Sequence, residues 1–500
     1  MEQSFIPPHP LGEGASTIEN SLVIDIIIMK NMEEIDIEKL KKIYFIGIGG
    51  IGLSAIARYM KANGKEVEGS DMKSSRVTES LEKLGIKVHY SQVAENITDD
   101  IDLAIHTASI PKTNPELSTV LEKNIRSITY AESLGLIFNG KGGIAICGTH
   151  GKSTTSAMVG GVLEDGGIDP SVLVGSIVPR YDGNLRIGSG GHFVAEACEY
   201  SHNFMSLYPQ MIVLGNVELD HTDCYKDIEE MKTAFLDFTR HLPEDGILFC
   251  NGDDENAREV SVKIKSEKPE LDVIYFGKNE TDDFCFKDFK IASGKTEFEV
   301  IYKDETLGKF YLQVPGEFNA RNALAAIAVG TYLEIPADKI RTSLESFSGI
   351  WRRFEIKGEY RGALIISDYA HHPTAVRLTI EAAKDFYPSR RIVAIFQPHQ
   401  HNRTRGLYQD FLQSFDAADE VILTEIYDVA GREEEEDQAV SSLNLVDDIA
   451  KRNEKLSGHI FYAKDLKETR GLIDEKIQTG DILLVMGAGD IVEVADGLFK

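Results

Sequence analysis

Cysteine is scarce in this chain. Its 500 residues include five, Cys147, Cys198, Cys224, Cys250 and Cys285, widely spaced and with no CxxC pair. That excludes the disulfide framework of a small secreted domain and makes a reducing cytoplasm the expected setting. Proline is scarce as well, at 15 residues, and with 42% apolar and 27% charged residues the chain reads as globular throughout, without long disordered tracts. A long apolar run is missing. The stretch Leu22 to Met29 is interrupted by Asp25, and no basic segment with a small-residue cleavage site precedes it, so neither a transmembrane helix nor a targeting segment is expected. Positive charge is in deficit. With 53 Lys and Arg against 81 Asp and Glu the formal net charge is −28, which argues against unassisted binding to nucleic acid or anionic membrane, since both gain from a positive field. Phosphate ligands stay open, because local lysines, helix ends and Mg²⁺ can meet them.

Five hundred residues is room for about three domains of about 100–200 residues each. Residues 1–40 form an extension of unexplained role, in which Met29 and Met32 are alternative starts. The most informative segment lies further on, at Cys147-Gly148-Thr149-His150-Gly151-Lys152-Ser153-Thr154-Thr155, after the apolar run Ile144-Ala145-Ile146 and before a helical pattern. Strand, glycine loop, lysine, hydroxyl and helix N-terminus together make a polyphosphate cradle. Backbone N–H groups and the helix dipole hold the inner phosphates, Lys152 reaches the outer ones, and the Ser153 hydroxyl is a Mg²⁺ ligand. The ordinary pattern G-x-x-x-x-G-K-[ST] needs glycine where this chain has Ile146, so the loop is a variant of it.

A second glycine loop opens the first domain, residues 41–140. Ile43 to Ile46 reads as a strand, Gly47-Ile48-Gly49-Gly50-Ile51-Gly52 fits G-x-G-x-x-G, and Leu53 to Ala62 is helical in pattern. The next strand, Glu66 to Gly69, ends near Asp71, at about the ~20-residue spacing where an acid meets a ribose hydroxyl. NAD, NADP, FAD and UDP-sugars all satisfy such a unit. Asn139 to Gly143 reads as the hinge that ends it.

The second domain, residues 141–347, carries strands His192 to Ala195 and Met211 to Leu214, which place Glu196 and the segment Asn216-Val217-Glu218-Leu219-Asp220-His221 at carboxyl ends, where parallel-sheet ligands collect. Glu196 and His221 thereby become candidate Mg²⁺ partners, although imidazole is unusual for so hard an ion. The third domain, residues 348–500, again alternates strands (Ala363 to Ser367, Arg391 to Phe396, Glu420 to Leu423, Ile482 to Met486) with helices. Polar segments follow two of its strands, Asp368-Tyr369-Ala370-His371-His372-Pro373 and Gln397-Pro398-His399-Gln400-His401-Asn402-Arg403. The i, i+2 spacing of His399 and His401 admits a transition-metal pair but lacks a third ligand. The run Glu433 to Asp437 reads as solvated surface. At Met486-Gly487-Ala488-Gly489-Asp490 a packing role and a ligand role are both open.

In number, order and spacing these segments resemble the Mur ligase family, from about Lys41 to the C-terminus. The carriers are Phe45 to Gly52, Gly148 to Thr155, Asn216 to His221, Arg352-Arg353-Phe354-Glu355, Asp368 to Pro373, Phe396 to His399 and Met486 to Ile491. The resemblance implies an α/β protein of three domains: an N-terminal Rossmann-like domain, a central P-loop-type ATPase domain and a C-terminal Rossmann-like domain. It implies that Gly47, Gly49, Gly50, Gly52 and Asp71 hold a UDP-sugar. Gly148, Thr149, His150, Gly151, Lys152, Ser153 and Thr154 would hold ATP, with Asn319 at adenine, Arg353 at phosphate and Asp368 at ribose. Ser153, Glu196 and His221 match metal positions for two Mg²⁺ ions. Tyr369, His371, His399 and Arg403 match the region that meets the incoming amino acid, and Lys152, His371, His399 and Arg403 the catalytic set.

Around Phe45 to Ala57 the resemblance is closer to the members that join L-alanine to the carboxylate of UDP-N-acetylmuramate in peptidoglycan synthesis. Two departures stand out. The stretch Glu196-Ala197-Cys198-Glu199-Tyr200-Ser201 replaces E-A-D-E-S-D, and Gln400-His401 replace an arginine and a tyrosine, which removes a charge near the alanine carboxylate and leaves amino-acid specificity open. The chemistry that follows is phosphorylation of a carboxylate by ATP, then attack of an amine on the acyl phosphate. Attachment of a murein peptide to the same nucleotide is the nearest alternative. An NAD(P)-dependent oxidoreductase built on Gly47 to Asp71 and a catalytically silent nucleotide-binding regulator are more distant ones. The sequence leaves open whether the chain acts alone or as a homodimer.

Overall fold

The computed structural model describes residues 35–107, 110–222, 224–292, 294–428 and 440–499. Most of the N-terminal extension and the whole acidic run Glu433 to Asp437 lie outside the described residues. The described residues divide into two compact units, one within 1–139 together with 203–208, the other within 140–202 and 209–500.

The first unit is built on five parallel strands, β1 (Lys42–Ile46), β2 (Glu66–Ser70), β3 (Lys87–His89), β4 (Leu103–His106) and β5 (Ser127–Thr129), in the order β3-β2-β1-β4-β5. β1 is wholly buried, with the apolar run Ile43 to Ile46 following a buried Lys42, as expected of a central parallel strand. The order reverses between β1 and β4, and the glycine loop after β1 leads into α1 (Ile51–Ala62) at that switch point.

The second unit holds two sheets. The first has ten strands: β6 (Gly142–Cys147), β7 (Ser171–Val178), β8 (Gly183–Arg186), β9 (His192–Glu196), β10 (Met211–Leu214), β11 (Ile247–Asn251), β12 (Asp272–Gly277), β13 (Phe284–Ala292), β14 (Lys295–Tyr302) and β15 (Glu305–Leu312). Their order is β15-β14-β13-β12-β11-β10-β6-β9-β7-β8, with β6 between parallel partners β10 and β9. Gly142 and Gly143, read from the sequence as the end of a hinge, belong to β6. A Cβ at Gly142 would stand 3.0 Å from the His192 ring, so glycine there serves close strand packing.

Helix α2 (Lys152–Gly166) follows β6, and α3 (Glu317–Tyr332) packs into the same core. Residues Ser153 to Leu163 of α2 are all buried, and a Cβ at Gly330 of α3 would come within 2.7 Å of Val162. The small residues of the two helices therefore allow their backbones to approach.

The other sheet of this unit comprises β16 (Glu355–Tyr360), β17 (Ala363–Asp368), β18 (Ile392–Phe396), β19 (Glu420–Thr424), β20 (Ile460–Ala463) and β21 (Ile482–Met486), ordered β16-β17-β21-β18-β19-β20. Only the edge strand β16 is antiparallel to its neighbour. Separate apolar clusters cover its two faces. Helices α4 (Pro373–Phe386) and α5 (His401–Gly406) start near the ends of β17 and β18. Among the described residues no helix is long and apolar enough to cross a membrane.

Candidate active site

In the second unit the loop between β6 and α2 turns on two glycines with positive φ, Gly148 at 130° and Gly151 at 81°. A Cβ on Gly148 would lie 2.9 Å from the Asn216 nitrogen, and one on Gly151 2.7 Å from Asn322 Oδ1. Asn216 fixes the loop from the side: its Oδ1 accepts from His150 N–H at 2.8 Å and its backbone carbonyl from Thr149 N–H at 3.0 Å. Gly151 is the N-cap of α2 and supplies no side-chain cap, so the first-turn N–H groups are oriented for an anion.

Lys152 and Glu199 form the electrostatic centre. The ammonium donates to the carbonyls of Gly148 (2.6 Å) and Thr149 (3.1 Å) and to Glu199 (2.9 Å). Burial works against both charges, but their mutual attraction prevails, so the lysine is held above and the carboxyl below its ordinary range. Ser153 Oγ donates to Glu196 Oε2 at 3.1 Å, and Gly175 N–H donates to the other oxygen. Burial pushes the Glu196 carboxyl up. His221 Nε2 lies 3.6 Å from Glu199. Hydroxyl and carboxylate oxygens beside a glycine cradle fit a hard cation with phosphate.

His150, Gly151, Lys152, Thr154, Asn319, Arg353 and Asp368 all line one cavity of about 330 Å³ in this unit. Asn319 is buried and donates to the Pro315 carbonyl at 2.7 Å. Asp368 accepts from the N–H groups of Phe354 and Ala370, both at 2.7 Å, and burial raises its carboxyl. Apolar walls come from residues such as Val314, Phe318 and Phe276. A cavity lined by both apolar and polar groups suits a nucleotide.

His371 and Arg403 meet at a residue that the motif reading did not single out, with Tyr369 against His371 and His399 against Arg403. Asp220, 3% exposed, accepts from Arg403 Nε at 2.9 Å and stands 3.8 Å from His371 Nε2. Arg403 also approaches His221 Nδ1 at 3.5 Å. Burial would raise the Asp220 carboxyl, but Arg403 and the two histidines hold it well below the usual range. His371 Nδ1 is 3.0 Å from the Tyr369 carbonyl, which can only accept, whereas His399 Nδ1 faces the Arg403 guanidinium at 3.2 Å, which can only donate. His371 meets a second acceptor at its other nitrogen, the Asp220 carboxylate 3.8 Å from Nε2, whereas His399, accepting at Nδ1, carries its hydrogen on Nε2 when neutral. Burial lowers His371 to about 4.

Three further residues carry structure that the motifs did not reveal. Glu218 pairs with His150 Nε2 at 3.0 Å and accepts from Thr374 Oγ1 at 2.5 Å, joining the lysine loop to the start of α4. His372 caps α4. Arg352, 6% exposed, donates to the carbonyls of Gly487 and Gly489, and a Cβ on Gly489 would meet Gln397 Oε1 at 2.5 Å; those glycines pack. His401 bonds Asp428 Oδ2 at 2.6 Å, apart from His399, which stacks on Tyr427. The only three-residue metal-type cluster among the described residues, His150, Glu218 and His372, contains neither of them.

In the first unit, Gly47 has φ 84°, and Gly50 caps α1 without a side-chain hydrogen bond. Gly49 N–H donates to Asp71 Oδ2 at 2.8 Å. A Cβ at Gly49 would meet that carboxylate at 2.6 Å and one at Gly52 the Tyr130 ring at 2.6 Å. Tight packing accounts for both glycines.

Comparison with known proteins covers nearly the whole described chain. Residues 42–141 match the model of the Mur ligase family, catalytic domain, 146–330 the Mur ligase middle domain, and 352–489 the Mur ligase glutamate ligase domain. The UDP-N-acetylmuramate–L-alanine ligase of Clostridium kluyveri is 41% identical over 463 residues, covering 92% of this chain and 98% of that protein. The enzyme of the same name from Caldanaerobacter subterraneus is 41% identical over 465 residues, covering 93% and 98%. Among solved structures, the UDP-N-acetylmuramate–alanine ligase of Thermotoga maritima superposes with a TM-score of 0.77 at 28% identity, covering 92% of this chain and 98% of that one. A murein peptide ligase from Psychrobacter arcticus gives 0.69 at 22% identity over 92% and 98%, which is likeness of fold. The chain belongs to the Mur ligase family.

Proposed function

We propose that this protein joins L-alanine to the lactyl carboxylate of UDP-N-acetylmuramate at the expense of ATP, in peptidoglycan precursor synthesis. The observation that carries the reading is the cavity in which His150, Lys152, Asn319, Arg353 and Asp368 converge, in a chain 41% identical to alanine-adding ligases over 92% of its length. ATP would lie in that cavity, adenine at Asn319, ribose at Asp368, and phosphates on the α2 N-terminus with Lys152 and Arg353. The UDP moiety would occupy the loop of Gly47, Gly49, Gly50 and Gly52 with Asp71, on a domain of residues 41–140, followed by domains 141–347 and 348–500. Ser153 and Glu196 would hold one Mg²⁺, and Glu196 with His221 a second. The ions supply charge neutralisation between phosphate and the attacking carboxylate.

The carboxylate oxygen attacks the γ-phosphorus and ADP leaves; the amine of alanine then attacks the acyl carbon, and inorganic phosphate leaves as the amide forms. Lys152 stabilises charge on the transferring phosphoryl group. Arg403, oriented by Asp220, would meet a substrate carboxylate, and either His371 or His399 would serve the amine proton or the tetrahedral oxyanion. The absence of a CxxC pair and the burial of Cys147, Cys250 and Cys285 support a cytoplasmic setting. Phosphate and ADP release with UDP-N-acetylmuramate plus alanine, glycine, serine or a murein tripeptide tests this reading. Turnover with alanine and not with tripeptide is expected; turnover with the tripeptide alone overturns it in favour of the peptide-adding function.

A further inference from the structure

His150, Glu218 and His372 bring two imidazoles and a carboxylate to one point, their ligand atoms within 4.8 Å of one another. They come from the lysine loop, the loop after β10 and the cap of α4. His150 Nε2 lies 3.0 Å from Glu218 Oε2, and His372 Nδ1 lies 4.0 Å from Glu218 Oε1. In a four-coordinate zinc site with bonds of about 2 Å, ligand atoms stand about 3.3 Å apart. Small side-chain movements bring this set to that spacing.

The surroundings orient the ligands. His372 Nε2 is 3.2 Å from the Leu219 carbonyl, and a carbonyl only accepts, so Nε2 carries the hydrogen and Nδ1 presents its lone pair towards Glu218. Its competing contact, from Thr374 N–H, is long at 3.3 Å. The second Glu218 oxygen accepts from Thr374 Oγ1 at 2.5 Å. A histidine whose other nitrogen donates to a backbone carbonyl, beside a carboxylate held by a hydroxyl, is the supporting arrangement of metal ligands. Two nitrogens and one oxygen favour a borderline cation over Mg²⁺.

We propose that His150, Glu218 and His372 form a binding site for a zinc-class divalent cation, separate from the Mg²⁺ positions at Ser153, Glu196 and His221. The cation replaces the proton that His150 Nε2 donates to Glu218, and that proton moves to Nδ1 through solvent. Because His150 and Glu218 line the nucleotide cavity, an occupied site ties the lysine loop to α4 and makes the cation an antagonist of ATP. The site does not depend on which amino acid the protein ligates.

The test uses the full chain stripped with chelator, without nucleotide. Titration calorimetry with Zn²⁺ is expected to show one tight equivalent that excess Mg²⁺ does not displace, and Co²⁺ to give the intense visible absorption of a four-coordinate site. His372→Asn keeps a good helix cap and is expected to weaken Zn²⁺ by at least about 30-fold; Glu218→Gln is expected to weaken it likewise, and thermal melts without metal check that both fold. In the ADP-release assay the Zn²⁺ concentration for half-inhibition should rise in parallel. Zn²⁺ affinity in His372→Asn within about threefold of the parent, or no binding to the parent below about 100 µM, overturns the proposal.

Discussion

Lys152, 15% exposed, lies among two carbonyls and the Glu199 carboxylate, whose side chain is 1% exposed. Truncating one member of such a pair leaves the other charge without a partner, at a cost of about 3–5 kcal/mol. Lys152→Ala is therefore expected to abolish ADP release and also to lower the melting temperature, whereas Glu199→Gln, which keeps a hydrogen-bond acceptor, costs less stability. ADP turnover that persists undiminished in Lys152→Ala would sink the phosphoryl-transfer role. His371 gives a pH signature. Burial lowers it from 6.5 to about 4, so between those values the unfolded chain binds a proton that the folded chain does not, and stability rises with pH across that window. His371→Asn removes up to about 1.4 kcal/mol per pH unit of that slope, measurable as a shallower fall of denaturation midpoint on acidification. The motif reading named both Lys152 and His371. It did not single out Glu199 or Asp220 as their partners, because a carboxylate in a loop carries no local mark of what it faces.

At the scale of elements, α2 and α3 meet through small residues. Gly330→Val drives a side chain into Val162, which a Cβ alone would approach to 2.7 Å, and overpacking of this kind costs about 1–3 kcal/mol, to be read from urea denaturation. Gly148→Ala acts on the loop instead. Its φ of 130° and the 2.9 Å approach of a Cβ to the Asn216 nitrogen force the turn to move, and Mg-ATP affinity by calorimetry should fall at least about tenfold. The parallel strands that carry chemistry were legible as short apolar runs: β1, β6, β10, β18 and β21 are buried along nearly their whole length. The meander β13 to β15 was not. β14 alternates buried and partly exposed residues, and without a motif at its ends such a pattern does not announce its partners. His401, set beside His399 by spacing alone, in fact opens α5 and turns to Asp428.

At the scale of the molecule, two compact units have their own apolar clusters. Calorimetry is expected to resolve more than one transition, with Mg-ATP raising that of the unit that holds Lys152 and UDP-N-acetylmuramate that of the unit that holds Gly47 to Gly52, each by about 2.7 kcal/mol at a hundredfold excess over the dissociation constant. A single transition shifted equally by both ligands would contradict that division. The sequence by itself determined the α/β class, the two glycine loops, the lysine and the order of the motifs, because each is written in contiguous residues whose strand, turn and helix preferences are local. Only the tertiary structure decided which charges meet. Arg403 reaches Asp220 across 183 residues, and Thr374 reaches Glu218 across 156. Both pairings join the loop after β10, in the ten-stranded sheet, to segments that follow β18 and β17, in the six-stranded sheet, and so depend on the strand order of each. Strand order is set by how apolar faces bury one another over the whole unit, a property that no local stretch of sequence contains.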